Sequence, residues 1–219
     1  MYHFEYVEKQ IWVPVRKNIE CILHEVQDLV RDKFTFSYRF IGSASRNMIT
    51  CDFKSKKGFD FDVNVYINDE ENRYTEKVQK EILMNALNRI AWKYGYSNCE
   101  NNTRVITMKV KDGMNSRICY SFDIAIVHDY LGTRGEEKQE YIRYNKKSQE
   151  YRWVDQPKGF NLDKKICWLK NQGLWDEVRE VYLYKKNTNM NPDKRSRSLF
   201  AETINEVCNQ NGYIKKLKG

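Results

Sequence analysis

The sequence predicts an α+β fold, in which a mixed β-sheet with flanking helices is followed by a small, mainly helical C-terminal part. Three observations lead to this prediction. Segment 59–67 (FDFDVNVYI) alternates strictly, as a strand with one buried face does. Segments 14–33 and 75–94 repeat apolar residues at helical spacing. Beyond Pro157 the helical spacing predominates.

The first predicted helix covers residues 14–33. Pro14 suits its first turn, because the N–H that proline lacks has no partner inside the helix at that position. Residues 34–41 (FTFSYRFI) are aromatic and extended in character and run directly into the dipeptide Gly42-Ser43. We therefore expect a strand that ends in a tight turn.

The second predicted helix covers residues 75–94, and Gly95 is placed to end it. Two strands follow at 104–110 and 117–127. The turn-forming segment 111–113 (KDG) between them indicates a hairpin.

The second half of the chain begins with another predicted strand pair, at 140–154, around the polar segment 145–148. Helical spacing follows at 163–171, 174–186 and 198–209. We expect a core at residues 1–133 and a second part at 134–219, in which a basic hairpin and helices complete a cleft.

Charge is divided unevenly between these parts. The 219 residues carry a net charge of +8. Residues 1–133 hold 19 basic and 18 acidic residues, whereas residues 134–219 hold 19 and 12. The basic second part predicts contact with polyanions, which on composition alone are nucleic acid, nucleotides or an acidic membrane surface.

Targeting and membrane signals are missing from the sequence. The N-terminus lacks the basic segment and apolar core of a signal peptide, and no apolar run approaches the roughly 18–20 residues of a membrane span. Six scattered cysteines form no C-x-x-C pair, so we expect reduced thiols. The prediction is a cytoplasmic protein with no membrane partner.

Three carboxylates form the candidate catalytic group. Asp60 and Asp62 point to the same face of their predicted strand, because strand side chains alternate. Asp123 is at the centre of an apolar strand, where an uncompensated carboxylate is costly. If the two strands pair, the three acids converge, and such hard oxygen donors suit Mg²⁺ or Mn²⁺. A D-x-D pair alone is also common on ordinary exposed strand faces.

The Gly42-Ser43 turn strengthens the catalytic interpretation. Glycine lets the backbone approach an anion closely, and the Ser43 hydroxyl and backbone N–H groups can hold phosphate oxygens. Arg46 follows and is placed either to bind phosphate or to form an exposed ion pair.

This combination resembles the polymerase-β-like nucleotidyltransferase superfamily, whose hallmark is a Gly-Ser turn, a D-x-D strand and a third acid on a neighbouring strand. The chain looks most like the branch of the oligoadenylate synthases, the cyclic GMP-AMP synthases and their bacterial relatives. The motifs that carry this resemblance are residues 42–47 (GSASRN), 59–63 (FDFDV) and 151–157 (YRWVDQP). Sixteen residues separate Ser43 from Asp60, which is more than in many members.

The resemblance implies a role for each matched residue. Gly42 and Ser43 would bind the donor triphosphate, and Asp60, Asp62 and Asp123 would hold the metal ions. Asp123 would also be the general base, since the family's third acid lies closest to the attacking oxygen. The superfamily places a triphosphate-binding lysine in the helical part, where the candidates are Lys164, Lys165, Lys170, Lys185 and Lys186.

The leading hypothesis is a metal-dependent enzyme that transfers a nucleoside monophosphate from a triphosphate to a hydroxyl of another nucleotide, or of RNA, and releases pyrophosphate. One alternative keeps this chemistry but uses tRNA, a protein or an antibiotic as the acceptor. Another is a catalytically silent module that binds nucleotides or RNA.

Overall fold

The structure is a computed structural model that describes residues 2–69, 71–156 and 162–213. The helices are α1 (Lys9–Val30), α2 (Gly42–Ser45), α3 (Glu76–Ile90), α4 (Asp163–Asn171), α5 (Trp175–Thr188) and α6 (Ser196–Gln210). The strands are β1 (Phe4–Tyr6), β2 (Thr35–Ile41), β3 (Thr50–Asp52), β4 (Phe59–Asn68), β5 (Glu100–Asn101), β6 (Ile106–Asp112), β7 (Arg117–Leu131), β8 (Glu137–Asn145) and β9 (Glu150–Asp155).

Contacts divide the chain into two units. One comprises residues 7–157, and the other joins residues 1–6 to 158–219. The hairpin of β8 and β9, which the sequence analysis grouped with the helical part, lies in the first unit because β8 pairs with β7. Pro157, where the predicted helical part begins, lies outside the described residues.

The first unit contains a mixed sheet of seven strands. Its central path runs β2-β4-β7-β6-β5, and β7 also pairs with β8, which pairs with β9. The pairing of β4 with β7 is parallel, whereas the other pairings of this sheet are antiparallel. The predicted mixed sheet is therefore confirmed.

The hydrophobic core lies where one face of this sheet meets α1 and α3. Phe61 in β4 and Phe122 in β7 are fully buried there, together with Ile22 of α1 and Leu87 of α3. Because alternate residues of β4 face this core, the residues between them point to the opposite face. The core thereby fixes the direction of Asp60 and Asp62.

Helix α1 begins earlier than the sequence analysis predicted. It starts at Lys9, so that Pro14 lies inside the helix and not in its first turn. Burial of Trp12 extends the apolar stripe toward the N-terminus and stabilises the additional turn. The carbonyl that loses its partner to Pro14 belongs to Gln10, an exposed residue that water can reach.

The predicted end of the second helix is confirmed. After α3 the chain makes one 3₁₀ turn, and Gly95 then adopts the left-handed conformation with a φ of +76°. The N–H of Tyr96 donates to the carbonyl of Ala91 at 3.0 Å, which satisfies a carbonyl that the end of the helix leaves without a partner.

The described part of the second unit is mainly helical. Helices α5 and α6 bury a shared set of apolar side chains that includes Val178, Leu199 and Ile204. Strand β1 packs on α5, where the Phe4 N–H donates to Asn187 Oδ1 at 2.6 Å. None of the helices in the described ranges combines the length and apolar character that crossing a bilayer requires.

Gly58→Ala is expected to destabilise the first unit. A Cβ at position 58 would overlap the backbone carbonyl of Cys119 in β7, and backbone atoms cannot move aside as a side-chain end can. We expect a loss of about 1–3 kcal/mol in the free energy of unfolding, typical of overpacking. Gly113→Ala is the control, because its Cβ would meet open space. Equal denaturant midpoints for both variants would contradict the prediction.

Candidate active site

Asp60 and Asp62 lie on the face of the sheet opposite the core. Asp60 is exposed and Asp62 is half-buried, whereas Phe59, Phe61 and Val63 between and beside them are buried. The alternating pattern predicted from the sequence is therefore confirmed. The two carboxylates point away from the core.

Asp123 lies directly beside Asp62. In the parallel pairing of β4 with β7, Asp62 is opposite Asp123 and Asp60 is opposite Ser121. Residues opposite one another on neighbouring strands point to the same face. The three predicted acids therefore share one face of two adjacent strands.

Burial and mutual repulsion perturb these carboxylates. Burial, followed by the charges of Asp60 and Asp123, raises the pKa of Asp62 from 3.8 to about 7, and the charge of Arg46 partly opposes this. Burial also raises the pKa of Asp123, while a hydrogen bond from Thr107 lowers it. The three carboxylates therefore repel one another, and such repulsion is the electrostatic setting of a cation site.

Gly42 brings the backbone against this acidic group. Ile41, the last residue of β2, pairs with Asp62, and Gly42 follows with a φ of +65°. A Cβ on Gly42 would overlap Asp62 Oδ2. Glycine suits the left-handed backbone here, and any other side chain would have to displace the Asp62 carboxylate.

Ser43 and Arg46 are positioned by the short helix α2. The carbonyl of Ser43 accepts hydrogen bonds from Arg46 N at 3.2 Å and from Met48 N at 2.9 Å. This turn places Arg46 within electrostatic reach of Asp62, as its effect on the pKa of that carboxyl shows. The segment that was predicted to bind phosphate thus lies beside the acids.

The donor chemistry fits a divalent metal such as Mg²⁺ or Mn²⁺. The three carboxylates are hard oxygen ligands, and a cation would relieve the repulsion that raises the pKa of Asp62. Within ranges 2–69, 71–156 and 162–213, no three or more His, Cys, Asp or Glu side chains are already gathered around one metal position. The position of the three acids on one face and their mutual repulsion therefore support a metal site. The acids are not already arranged as a complete set of ligands.

The sequence analysis missed the residues behind Asp123. Thr107 in β6 is opposite Asp123, and its Oγ1 donates to Asp123 Oδ1 at 2.5 Å. Asn102 Nδ2 donates to Thr107 Oγ1 at 2.9 Å. The available signal was a hydroxyl residue between the apolar Ile106 and Met108 of a predicted strand.

The predicted triphosphate lysines are in the second unit, and several have local contacts. Lys185 forms an ion pair with Glu206 at 2.6 Å, and Lys165 donates to Asn205 Oδ1 at 2.6 Å. The ammonium of Lys170 lies 4.9 Å from the ring centre of Trp175. These contacts do not identify one lysine as the phosphate ligand.

A dependence of stability on pH follows from Asp62. Its pKa is raised on folding, so the folded protein binds a proton that the unfolded chain has lost between pH 4 and 7. The contribution of Asp62 to the stability of the metal-free protein therefore falls as the pH rises through this range. In EDTA, we expect Asp62→Asn to gain about 2 kcal/mol relative to the parent protein between pH 5 and pH 8. Urea titrations test this, and parallel pH curves for the two proteins would contradict it.

Several solved structures share the fold of this chain. No family model matches the chain, and no curated protein matches it in sequence. It is similar to the CD-NTase CdnG of Bradyrhizobium diazoefficiens in complex with GTP, with a TM-score of 0.62, 13% identity and coverage of 91% of this chain and 66% of that one. It is also similar to the STING-associated CdnE c-di-GMP synthase of Capnocytophaga granulosa, with a TM-score of 0.61, 19% identity and coverage of 97% and 64%.

A third similar structure is the cyclic AMP-GMP synthase DncV of Vibrio cholerae, with a TM-score of 0.64, 10% identity and coverage of 96% and 69%. The chain thus spans about two thirds of the length of each of these proteins. At such identities the likeness concerns the fold. It confirms the predicted α+β fold, in which a mixed sheet with flanking helices is followed by a mainly helical part.

Proposed function

We propose that this chain is a metal-dependent nucleotidyltransferase. It transfers a nucleoside monophosphate from a nucleoside triphosphate to a hydroxyl of another nucleotide, forms a linear or cyclic oligonucleotide, and releases pyrophosphate. The observation that carries the proposal is the pairing of Asp62 with Asp123 on one sheet face, next to the backbone of Gly42. Six free cysteines support a reducing compartment such as the cytoplasm.

Asp60, Asp62 and Asp123 are the residues that would hold Mg²⁺ or Mn²⁺. When bound, the metal would neutralise charge on the triphosphate and make the attacking hydroxyl more acidic. The raised pKa of Asp62 supports this assignment, because a cation favours the ionised carboxylate. Metal binding would thus be the role of these three acids within the near-neutral residues 1–133.

Gly42, Ser43 and Arg46 would bind the donor. With no side chain on Gly42, the triphosphate can approach the backbone closely, and the Ser43 hydroxyl offers a hydrogen bond to a phosphate oxygen. Arg46 adds positive charge on the side where Asp62 lies. Together these residues would hold the α-phosphorus beside the acids.

Asp123 is proposed as the general base. Its pKa is raised above the ordinary value, which makes the carboxylate a better proton acceptor. It would take the proton of the acceptor hydroxyl as the new bond to the α-phosphorus forms and the bond to pyrophosphate breaks. Pyrophosphate would leave with the electron pair of the broken bond.

The structures of similar fold support a nucleotide as the acceptor. The CdnG structure contains GTP, and one DncV structure contains the linear intermediate 5′ pppA(3′,5′)pG. Both proteins are longer than this chain, so the acceptor and the product are proposed here by analogy of fold.

The product assay distinguishes this proposal from its alternatives. The protein is incubated with each α-labelled triphosphate and Mg²⁺, with and without RNA or cell lysate. We expect small labelled oligonucleotides and an equivalent amount of pyrophosphate without any macromolecule. Label found only on tRNA, protein or an added antibiotic would identify that molecule as the acceptor and contradict a nucleotide acceptor. Triphosphate binding with no pyrophosphate release would favour the silent binding module.

Metal binding gives a test that does not depend on turnover. In the metal-free protein, Mg²⁺ is expected to raise the melting temperature at pH 8, because it binds only the folded arrangement of carboxylates. Asp62→Asn should lose most of this shift. Asp129→Asn, an exposed substitution on the same strand β7 as Asp123, should keep it. A shift of equal size in both variants would contradict the assignment.

A further inference from the structure

A chain of hydrogen bonds connects Asp123 to the interior of the first unit. Thr107 is buried, with 6% of its surface exposed, and its hydroxyl donates to Asp123 Oδ1 at 2.5 Å. Asn102 Nδ2 donates to the same hydroxyl oxygen at 2.9 Å. Because a hydroxyl has a single proton and this one accepts from Asn102, that proton is directed at Asp123.

A second contact agrees with this orientation of Asn102. The exposed Lys146 Nζ, which can only donate, lies 3.5 Å from Asn102 Oδ1, as expected when the amide nitrogen of Asn102 faces Thr107. The backbone N–H of Asn102 also donates to the carbonyl of Val105 at 3.0 Å. The side-chain amide and the backbone N–H of Asn102 therefore both have hydrogen-bond partners.

Lys80 anchors the same segment to α3. Its side chain is almost fully buried, with 1% exposure, and its Nζ donates to the backbone carbonyl of Asn102 at 2.8 Å. The rings of Tyr144 and Tyr151 lie 5.8 and 5.9 Å from the ammonium. A buried ammonium is costly, and these contacts are its compensation. The lysine thus connects a core helix to the segment that directs Thr107.

We propose that Thr107 is a positioning residue that aims the carboxylate of Asp123, and that Asn102 and Lys80 hold Thr107 in the orientation needed for this. The inference rests on the proposed function, in which Asp123 meets the attacking hydroxyl. A carboxylate on a strand rotates freely about its last torsion unless a partner fixes it. By holding Oδ1, Thr107 leaves the other oxygen in a set direction for the reaction.

Two variants at position 107 separate this role from simple packing. Thr107→Val keeps the shape but removes the donor, whereas Thr107→Ser keeps the donor. We expect Thr107→Val to lower kcat of pyrophosphate release about 10–100-fold, as loss of a group that orients a site residue does. Calorimetric binding of a nonhydrolysable triphosphate should be unchanged, and Thr107→Ser should restore the rate.

Crystal structures of the two variants show the orientation of the Asp123 carboxylate directly, without the need for turnover. In Thr107→Val the Asp123 carboxylate should be rotated or divided between orientations, while in Thr107→Ser it should remain as it is here. An unchanged Asp123 in Thr107→Val would overturn the inference, whether or not the protein shows activity. Equal loss of rate and of melting temperature in both variants would also overturn it, because this would show a packing role.

The test distinguishes failure of the inference from failure of the proposed function. If Asp123→Asn abolishes pyrophosphate release and Thr107→Val retains it, the inference fails and the function stands. If Asp123→Asn is as active as the parent protein, the proposed function fails. Lys80→Met tests the far end of the chain of bonds. It should lower kcat with triphosphate affinity unchanged, and a parental rate would remove Lys80 from the proposal.

Discussion

Asp62→Asn is expected to reduce pyrophosphate release by at least about a thousandfold, as loss of an essential group in an active site does. The amide has the size of the carboxylate but no negative charge, so it cannot neutralise a divalent metal. Asp62 is opposite Asp123 and two residues from Asp60 in the same strand, and the charges of both raise its pKa. Asp60→Asn and Asp123→Asn are expected to fall in the same range.

Folding controls are essential for this prediction, because the pKa shift predicts that Asp62→Asn is more stable than the parent protein at pH 8 without metal. A variant that is inactive and more stable would separate catalysis from folding. Asp129→Asn, which removes an exposed acid from β7, should retain activity. Retained pyrophosphate release in all three site variants would contradict the assignment of the acids.

Gly42→Ala is expected to lower the rate about 100-fold, because displacing a reacting group by roughly an ångström has an effect of this size. The added Cβ overlaps Asp62 Oδ2, and the easiest response is rotation of that carboxylate away from the site. The left-handed backbone adds a stability cost of about 1–2 kcal/mol. A stability loss of this size would leave a protein of ordinary stability folded, so the lower rate would come from the site itself.

Gly135→Ala is the matched control for this variant. Gly135 has a φ of +73°, close to the +65° of Gly42, but a Cβ there would meet no atom within 4 Å. Both variants should therefore lose similar stability in urea titrations, and only Gly42→Ala should lose activity. If Gly42→Ala retains the parental rate, the close approach of the backbone to Asp62 has no role in the reaction.

The regular elements of the fold could be predicted because local patterns determine them. The helix expected at 163–171 coincides with α4, and the alternating segment at 59–67 became β4 with its buried face as expected. The start of α1 could not be predicted in the same way. Tertiary burial of Trp12 extends that helix through Pro14, against the local preference of proline for the first turn.

The three acids could be predicted from the sequence, but the hydrogen-bond partner of Asp123 could not. Asp60 and Asp62 follow from alternation, and the place of Asp123 follows from pairing β4 with β7. The residue of β6 that lies opposite Asp123 depends on a register shift between Val110 and Lys111. Counting back from the pair of Asp112 with Arg117 would have placed Ile106 opposite Asp123, whereas the irregularity brings Thr107 there. A bulge of this kind has no clear signature in one sequence.

The net positive charge of residues 134–219 predicted contact with polyanions. Composition alone did not distinguish nucleic acid, nucleotides and a membrane surface. Under the proposed function, the anion bound by the chain would be a nucleotide. Lys165 and Lys185 nevertheless have partners within their own unit, so part of the positive charge of the second half is used in local contacts.

A crystal structure with a nonhydrolysable nucleoside triphosphate and Mg²⁺ or Mn²⁺ tests the central claim most directly. The account predicts metal density in contact with Asp60, Asp62 and Asp123, with the phosphates against the backbone of Gly42 and the hydroxyl of Ser43. Anomalous scattering from Mn²⁺ would identify the metal position. A triphosphate bound away from Gly42, with no metal at the three acids, would contradict the account.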